Sequence, residues 1–71
     1  MKYTVYYKDE IFGICHEVYL GTTKSGKRHW MIEKFENIED SEKTAKTRFE
    51  KDNTEWVEIR NGKKVVKRLE K

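Results

Sequence analysis

Residues Glu55 to Glu70, EWVEIRNGKKVVKRLE, must turn back on themselves at Asn61-Gly62. An Asn-Gly pair between two strand-like runs is the strongest short-range signal for a β-hairpin. A three-residue loop of Arg60-Asn61-Gly62, with Gly62 at positive φ, predicts the opposed pairs Glu58/Lys64, Val57/Val65, Trp56/Val66 and Glu55/Lys67. Each pair sets apolar on apolar or acid on base, as cross-strand energetics favour. The same stretch is the most basic of the chain, so the firmest element coincides with a candidate binding surface.

The rest of the chain supplies strands and one helix. Tyr3-Thr4-Val5-Tyr6-Tyr7 is a strand by composition, ending at Lys8-Asp9-Glu10. A second strand is expected from Ile14 to Leu20 and a third from His29 to Phe35, with a turn centred on Ser25-Gly26. That turn predicts Leu20 opposite Met31, Tyr19 opposite Ile32 and Glu17 opposite Lys34. Asn37 to Lys51 has the pattern of a helix. Asn37 stands at the N-cap, Glu39, Asp40 and Glu42 lie where the helix dipole favours acids, and Arg48 and Lys51 where it favours bases. Its apolar stripe of Ile38, Ala45 and Phe49, with Ser41 between them, is narrow, so the helix must dock on a sheet to persist. Asp52-Asn53 stops it. The expected fold is a single small α+β domain spanning residues 1–71, in the order β-β-β-α-β-β, with antiparallel hairpins and one helix packed on the sheet.

Composition sets the scale of its core. Of 71 residues, 35% are hydrophobic and 41% charged, and the mean hydropathy is −1.04. Such values alone lean toward disorder, but nine aromatics, among them Trp30 and Trp56, can each bury a large area. The expected core is thin and aromatic, near the size at which one core supplies only a few kcal/mol, and it is compatible with a homodimer. The single cysteine leaves no internal disulfide and fits a reducing compartment. The start MKYTVYY lacks a signal peptide's apolar stretch, and no apolar run approaches a membrane span. A cytoplasmic, non-membrane protein is the expectation.

Catalytic and metal chemistry find little support in the sequence. Cys15 and His16 are adjacent on an expected strand, so they point to opposite faces and do not converge on one ion. The acids Asp9, Glu10, Glu36, Glu39, Asp40 and Glu42 fall in turns and at the helix start, where they have structural reasons to be. The four glycines are scattered and form no phosphate-cradling loop. No enzyme activity, no cofactor, no metal and no small-molecule substrate are expected.

Charge is more informative. The net charge is only +3, but it is unevenly spread: −1 over residues 1–23, +3 over 24–34, −4 over 35–58 and +5 over 59–71. Lys24, Lys27, Arg28 and His29 surround one expected turn; Arg60, Lys63, Lys64, Lys67 and Arg68 surround the other. If both turns project from one end of the sheet they form a two-pronged clamp for nucleic-acid phosphates, and an exposed Trp30 would add a stacking surface. The plainer account of each part is a lysine-rich defence against edge pairing and a core tryptophan. A host protein is the other candidate partner, docking on the acidic helix face or on aromatic anchors such as Trp30 and Trp56.

The order of the TVYY strand, a second strand, a helix holding Ala45 and Phe49, and then Trp56-Val57-Glu58-Ile59 and Asn61-Gly62-Lys63 resembles small uncharacterised proteins of bacteriophages and other bacterial mobile elements. That resemblance implies a host-interaction or regulatory role: a non-catalytic protein that binds a host macromolecule, as regulator or inhibitor. It supplies no functional residues. The VYYKDE opening, the basic Lys24–Arg28 turn and the helix after Asn37 also resemble, at the level of layout, the arm-type DNA-binding domain of tyrosine recombinases. In that family a three-stranded sheet precedes a helix and enters the major groove.

Overall fold

The computed structural model describes residues 2–71 and contains, in chain order, β1 (Thr4–Asp9), β2 (Gly13–His16), β3 (Val18–Thr22), β4 (Arg28–Ile32), α1 (Ile38–Phe49), β5 (Thr54–Asn61) and β6 (Lys64–Glu70). The α+β class and the antiparallel hairpins with one helix are as expected, with one more strand. β2 ends at His16 and β3 begins at Val18, with Glu17 in neither, so the expected strand Ile14–Leu20 is two strands that belong to different sheets. Strands β2-β1-β5-β6 form an antiparallel sheet; β3 and β4 form a separate two-stranded ribbon.

The break at Glu17 follows from what its backbone and side chain join. Its N–H donates to the Val5 carbonyl and its carbonyl accepts from Glu33, which ties the root of the ribbon to the edge of β1. Beyond it Phe35, not β3, takes the place beside Tyr3, through paired N–H···O bonds of 2.7 and 2.8 Å. The ribbon therefore leaves the sheet.

Both hairpin registers differ from the expected ones, and turn geometry is the reason. In the ribbon Thr23 and Lys27 still pair, the Gly26 N–H donates to the Thr23 carbonyl, and Gly26 has φ +84°. This is a three-residue loop closed by a left-handed glycine, and it aligns Val18 with Ile32, Tyr19 with Met31 and Leu20 with Trp30. In the C-terminal hairpin Asn61 faces Lys64 across a two-residue loop, with Gly62 at its first central position and φ +63°. Glycine there satisfies a type II′ turn. The resulting pairs are Ile59/Lys67, Glu58/Arg68, Val57/Leu69 and Trp56/Glu70, with a bulge that leaves Val66 unmatched. Acid still meets base, through Arg68 rather than Lys64.

Alternation along β1 and β5 gives the sheet two distinct faces. Val5, Val57 and Ile59, with Ala45 of α1, are the buried apolar side chains, at 0–2% exposure; Tyr3, Tyr7, Phe35, Phe49 and Leu69 pack around them. The helix rests on β1 and β5 through Ser41 and Ala45, both buried. The Ser41 hydroxyl donates to the Ile38 carbonyl at 2.7 Å, so a polar residue sits in the stripe without an unpaired group. Asn37 occupies the N-cap with extended backbone, but its side chain caps nothing; its amide reaches toward Asp40 at 3.5 Å. Acids Glu39 and Asp40 stand in the first turn, and Lys46 and Arg48 in the last. Lys51 lies past the helix end.

Asp9 closes the β1–β2 turn and is 6% exposed. One carboxylate oxygen accepts the N–H groups of Ile11 (2.7 Å) and Phe12 (3.0 Å), and the other accepts from the Asn53 amide at 2.5 Å. The Phe12 and Ile11 amides, in that order, hold the Asp9 pKa below its ordinary value, against the opposing effect of burial. A carboxylate whose folded pKa is depressed contributes stability above its unfolded pKa of about 4, lost as pH falls through the folded value. The thermal stability of the wild-type chain is therefore expected to fall below about pH 4, and Asp9→Asn to be less stable at neutral pH with a shallower acid limb. An Asp9→Asn melting profile that parallels the wild type from pH 2 to 7 would refute this role.

Candidate nucleic-acid interface

The ribbon's sequence, VYLGTTKSGKRHWMI over residues 18–32, contains Lys24, Lys27 and Arg28 and no acid. Its strands contact each other and little else; every residue from 18 to 32 is exposed or half-exposed. The molecule extends 41 Å in its longest dimension. Its radius of gyration is 12.7 Å, whereas a compact chain of this length has about 11 Å.

At the ribbon tip Thr23 organises the loop. Its hydroxyl accepts from the Lys27 N–H at 3.2 Å and shares a 2.9 Å hydrogen bond with Ser25. That leaves the side chains of Lys24, Lys27 and Arg28 exposed, and among the described residues none of the three has an acidic partner. Unpaired cations keep their full charge available for an anion, with no internal ion pair to break.

The root is braced from the helix. The Arg48 guanidinium holds both Glu17 oxygens, at 2.6 and 3.1 Å, and lies 4.2 Å over the Tyr7 ring. The hydrogen bond to Glu17 raises the Arg48 pKa, outweighing desolvation. Bidentate pairing of this kind fixes geometry as well as charge. Arg48→Met is expected to cost about 1–2 kcal/mol, discounted for a partly exposed pair. The Glu17 and Glu33 amides at the root should then exchange faster with solvent than those of β5. Uniform exchange across both regions would show that Arg48 does not brace the ribbon.

The second set of sequence candidates divides. Arg60, Lys67 and Arg68 are engaged within the fold. Glu58, 5% exposed in the middle of the sheet, accepts from Arg60 at 2.6 and 2.9 Å and from Arg68. Arg68 also binds Glu70 at 2.6 Å, and Lys67 lies 3.6 Å from Glu42. Burial alone would raise the Glu58 pKa, but Arg60 and then Arg68 outweigh it and lower it. The two arginines also stack on rings, Arg60 at 4.2 Å over Tyr6 and Arg68 at 4.6 Å over Trp56. Arg60, Arg68 and Trp56 thus form a covering layer on the sheet face opposite the helix, whereas Lys67, opposite Ile59 and beside Glu42, lies on the helix side. Lys63 and Lys64, at the turn, remain exposed without acidic partners among the described residues.

The ribbon root and the β5–β6 turn share one end of the main sheet. Thr4 is opposite Arg60, Tyr3 opposite Phe35, and a shallow depression there is lined by Lys2, Thr4, Lys34, Asn61 and Gly62. Lys34, which the sequence did not single out, lies at the ribbon root beside the β5–β6 turn. Its proximity rests on the Tyr3–Phe35 bridge, a contact across 32 residues that local sequence does not announce.

Trp30 is 68% exposed on the ribbon, whereas Trp56 is half-buried beneath Arg68. Cys15 and His16 lie opposite Tyr7 and Tyr6, hence on different faces of the sheet. Among the described residues no three His, Cys, Asp or Glu side chains converge as metal ligands, and no helix is long and apolar enough to cross a membrane. No protein-family model, curated protein or solved structure matches this chain.

Proposed function

We propose that the chain is a non-catalytic nucleic-acid-binding module whose β3–β4 ribbon contacts sugar–phosphate backbone. The observation that carries this reading is the ribbon itself: a projecting two-stranded arm with three exposed, unpaired cations and no acid between residues 18 and 32. A structural ribbon has no need to stand away from its domain, and a defensive lysine edge has no need to exclude every acid. Lys34 at the ribbon root and Lys63 and Lys64 at the β5–β6 turn, on the same end of the main sheet, add further exposed cations. Such contacts are sequence-tolerant, because phosphates position a protein without identifying bases.

The acidic helix face is the alternative docking surface for a host protein. It is weakened by its own ion pairs and by Lys43 and Lys46 between the acids, so the ribbon carries the better case. Fluorescence anisotropy with a labelled oligonucleotide at low salt tests the proposal. Saturable binding in the micromolar range is expected. No anisotropy change at tens of micromolar protein would reject it.

A further inference from the structure

The two faces of the ribbon are not equivalent. On one, Tyr19 and Met31 fold over Gly21: a Cβ there would meet the Met31 sulfur at 2.8 Å and the Tyr19 ring at 3.0 Å. On the other, the cross-strand pairs Leu20/Trp30 and Val18/Ile32 form a contiguous apolar strip whose side chains are 43, 68, 42 and 37% exposed. Arg28 follows Trp30 on this bare face, two residues nearer the tip. Positive charge and flat apolar surface thus lie side by side on this face.

We propose, resting on the nucleic-acid reading above, that this face is a stacking platform for unpaired bases, centred on Trp30, and that the preferred partner is single-stranded. A base stacked on the indole presents its π-face to Trp30 and Leu20 while its phosphates reach Arg28 and the tip lysines. A duplex hides the base faces and leaves the four apolar side chains uncovered, although its major groove is wide enough for a ribbon. A second copy would bring two arms of the same +3 charge together. A protein anchor wants a concave, water-excluding pocket, and a face two strands wide has none.

Three labelled oligonucleotides of about 12 nucleotides separate the possibilities: a mixed-sequence single strand, the same length of abasic backbone, and a duplex. The intact single strand is expected to bind about tenfold tighter than the abasic strand, which carries the same phosphates and no bases. Trp30→Ala should reduce single-strand affinity to the abasic level, and Trp30→Phe should restore most of it. Because Trp30 is mostly exposed, neither change should unfold the chain, which circular dichroism checks. Equal affinity for intact and abasic strands, or an unchanged Trp30→Ala, overturns the platform and leaves phosphate binding standing. Failure of all three to bind overturns both. An effect of Trp30→Ala confined to self-association in sedimentation also overturns the platform.

Discussion

Ile59→Ala is expected to leave much of the chain unfolded at 37 °C. Ile59 is 2% exposed at the centre of a core that has, among the described residues, only three other buried apolar side chains, Val5, Ala45 and Val57. Removing it costs about 2–5 kcal/mol in transfer and cavity terms. A domain of this length holds about 4–10 kcal/mol in total. A loss of about 3 kcal/mol should lower Tm by about 15 °C or more. The thinness of the core makes the effect large, since the half-buried Phe49 and Leu69 flank the site and cannot collapse into it without exposing themselves. Trp30→Ala removes a larger side chain from the same protein and should shift Tm by only a few degrees. Comparable destabilisation by the two substitutions would show that the ribbon is packed, and that Val5, Val57 and Ile59 are not the stability centre.

Lys24→Glu/Lys27→Glu/Arg28→Glu should lower oligonucleotide affinity by at least about a hundredfold at physiological salt, with Tm nearly unchanged. On the proposed reading, the change replaces three phosphate contacts by three repulsive charges. Among the described residues those side chains form no ion pair, and the loop is organised by the Thr23 and Ser25 hydroxyls and by Gly26. Reversing Arg60, Lys67 and Arg68 instead should destabilise the protein, because Glu58 would lose both arginines while remaining buried. Matched loss of binding from the two triple variants, at matched stability, would contradict the division into free and engaged cations.

That division marks the limit of what the sequence disclosed. Both turns and the helix with its Ser41–Ala45–Phe49 stripe are local chemistry, and they were legible. The expected acid–base pairs Glu58/Lys64 and Glu55/Lys67 were not, because Glu58 faces Arg68 and Lys67 faces Ile59. The registers were not, because a left-handed glycine can occupy more than one place in a tight turn: Gly62 starts its loop, and Gly26 ends its own. The break at Glu17 depends on Arg48, 31 residues away, and on Phe35 capturing Tyr3, 32 residues away. Trp30 looks like core in an alternating apolar strand, and only the absence of a facing layer exposes it. Equally, Arg60 and Arg68 look like clamp residues until Glu58 is seen to sit between them.

The salt dependence of binding tests the central claim most directly. With Lys24, Lys27, Arg28, Lys63 and Lys64 as the contacting cations, log K for a single strand should fall against log salt with a slope of about −3.5. The ribbon triple variant should reduce that slope to about −1.5, and Lys63→Glu/Lys64→Glu should reduce it to about −2. A flat salt dependence in the wild-type chain, or a slope that the ribbon variant leaves unchanged, would contradict the assignment of the ribbon as the phosphate-contacting arm.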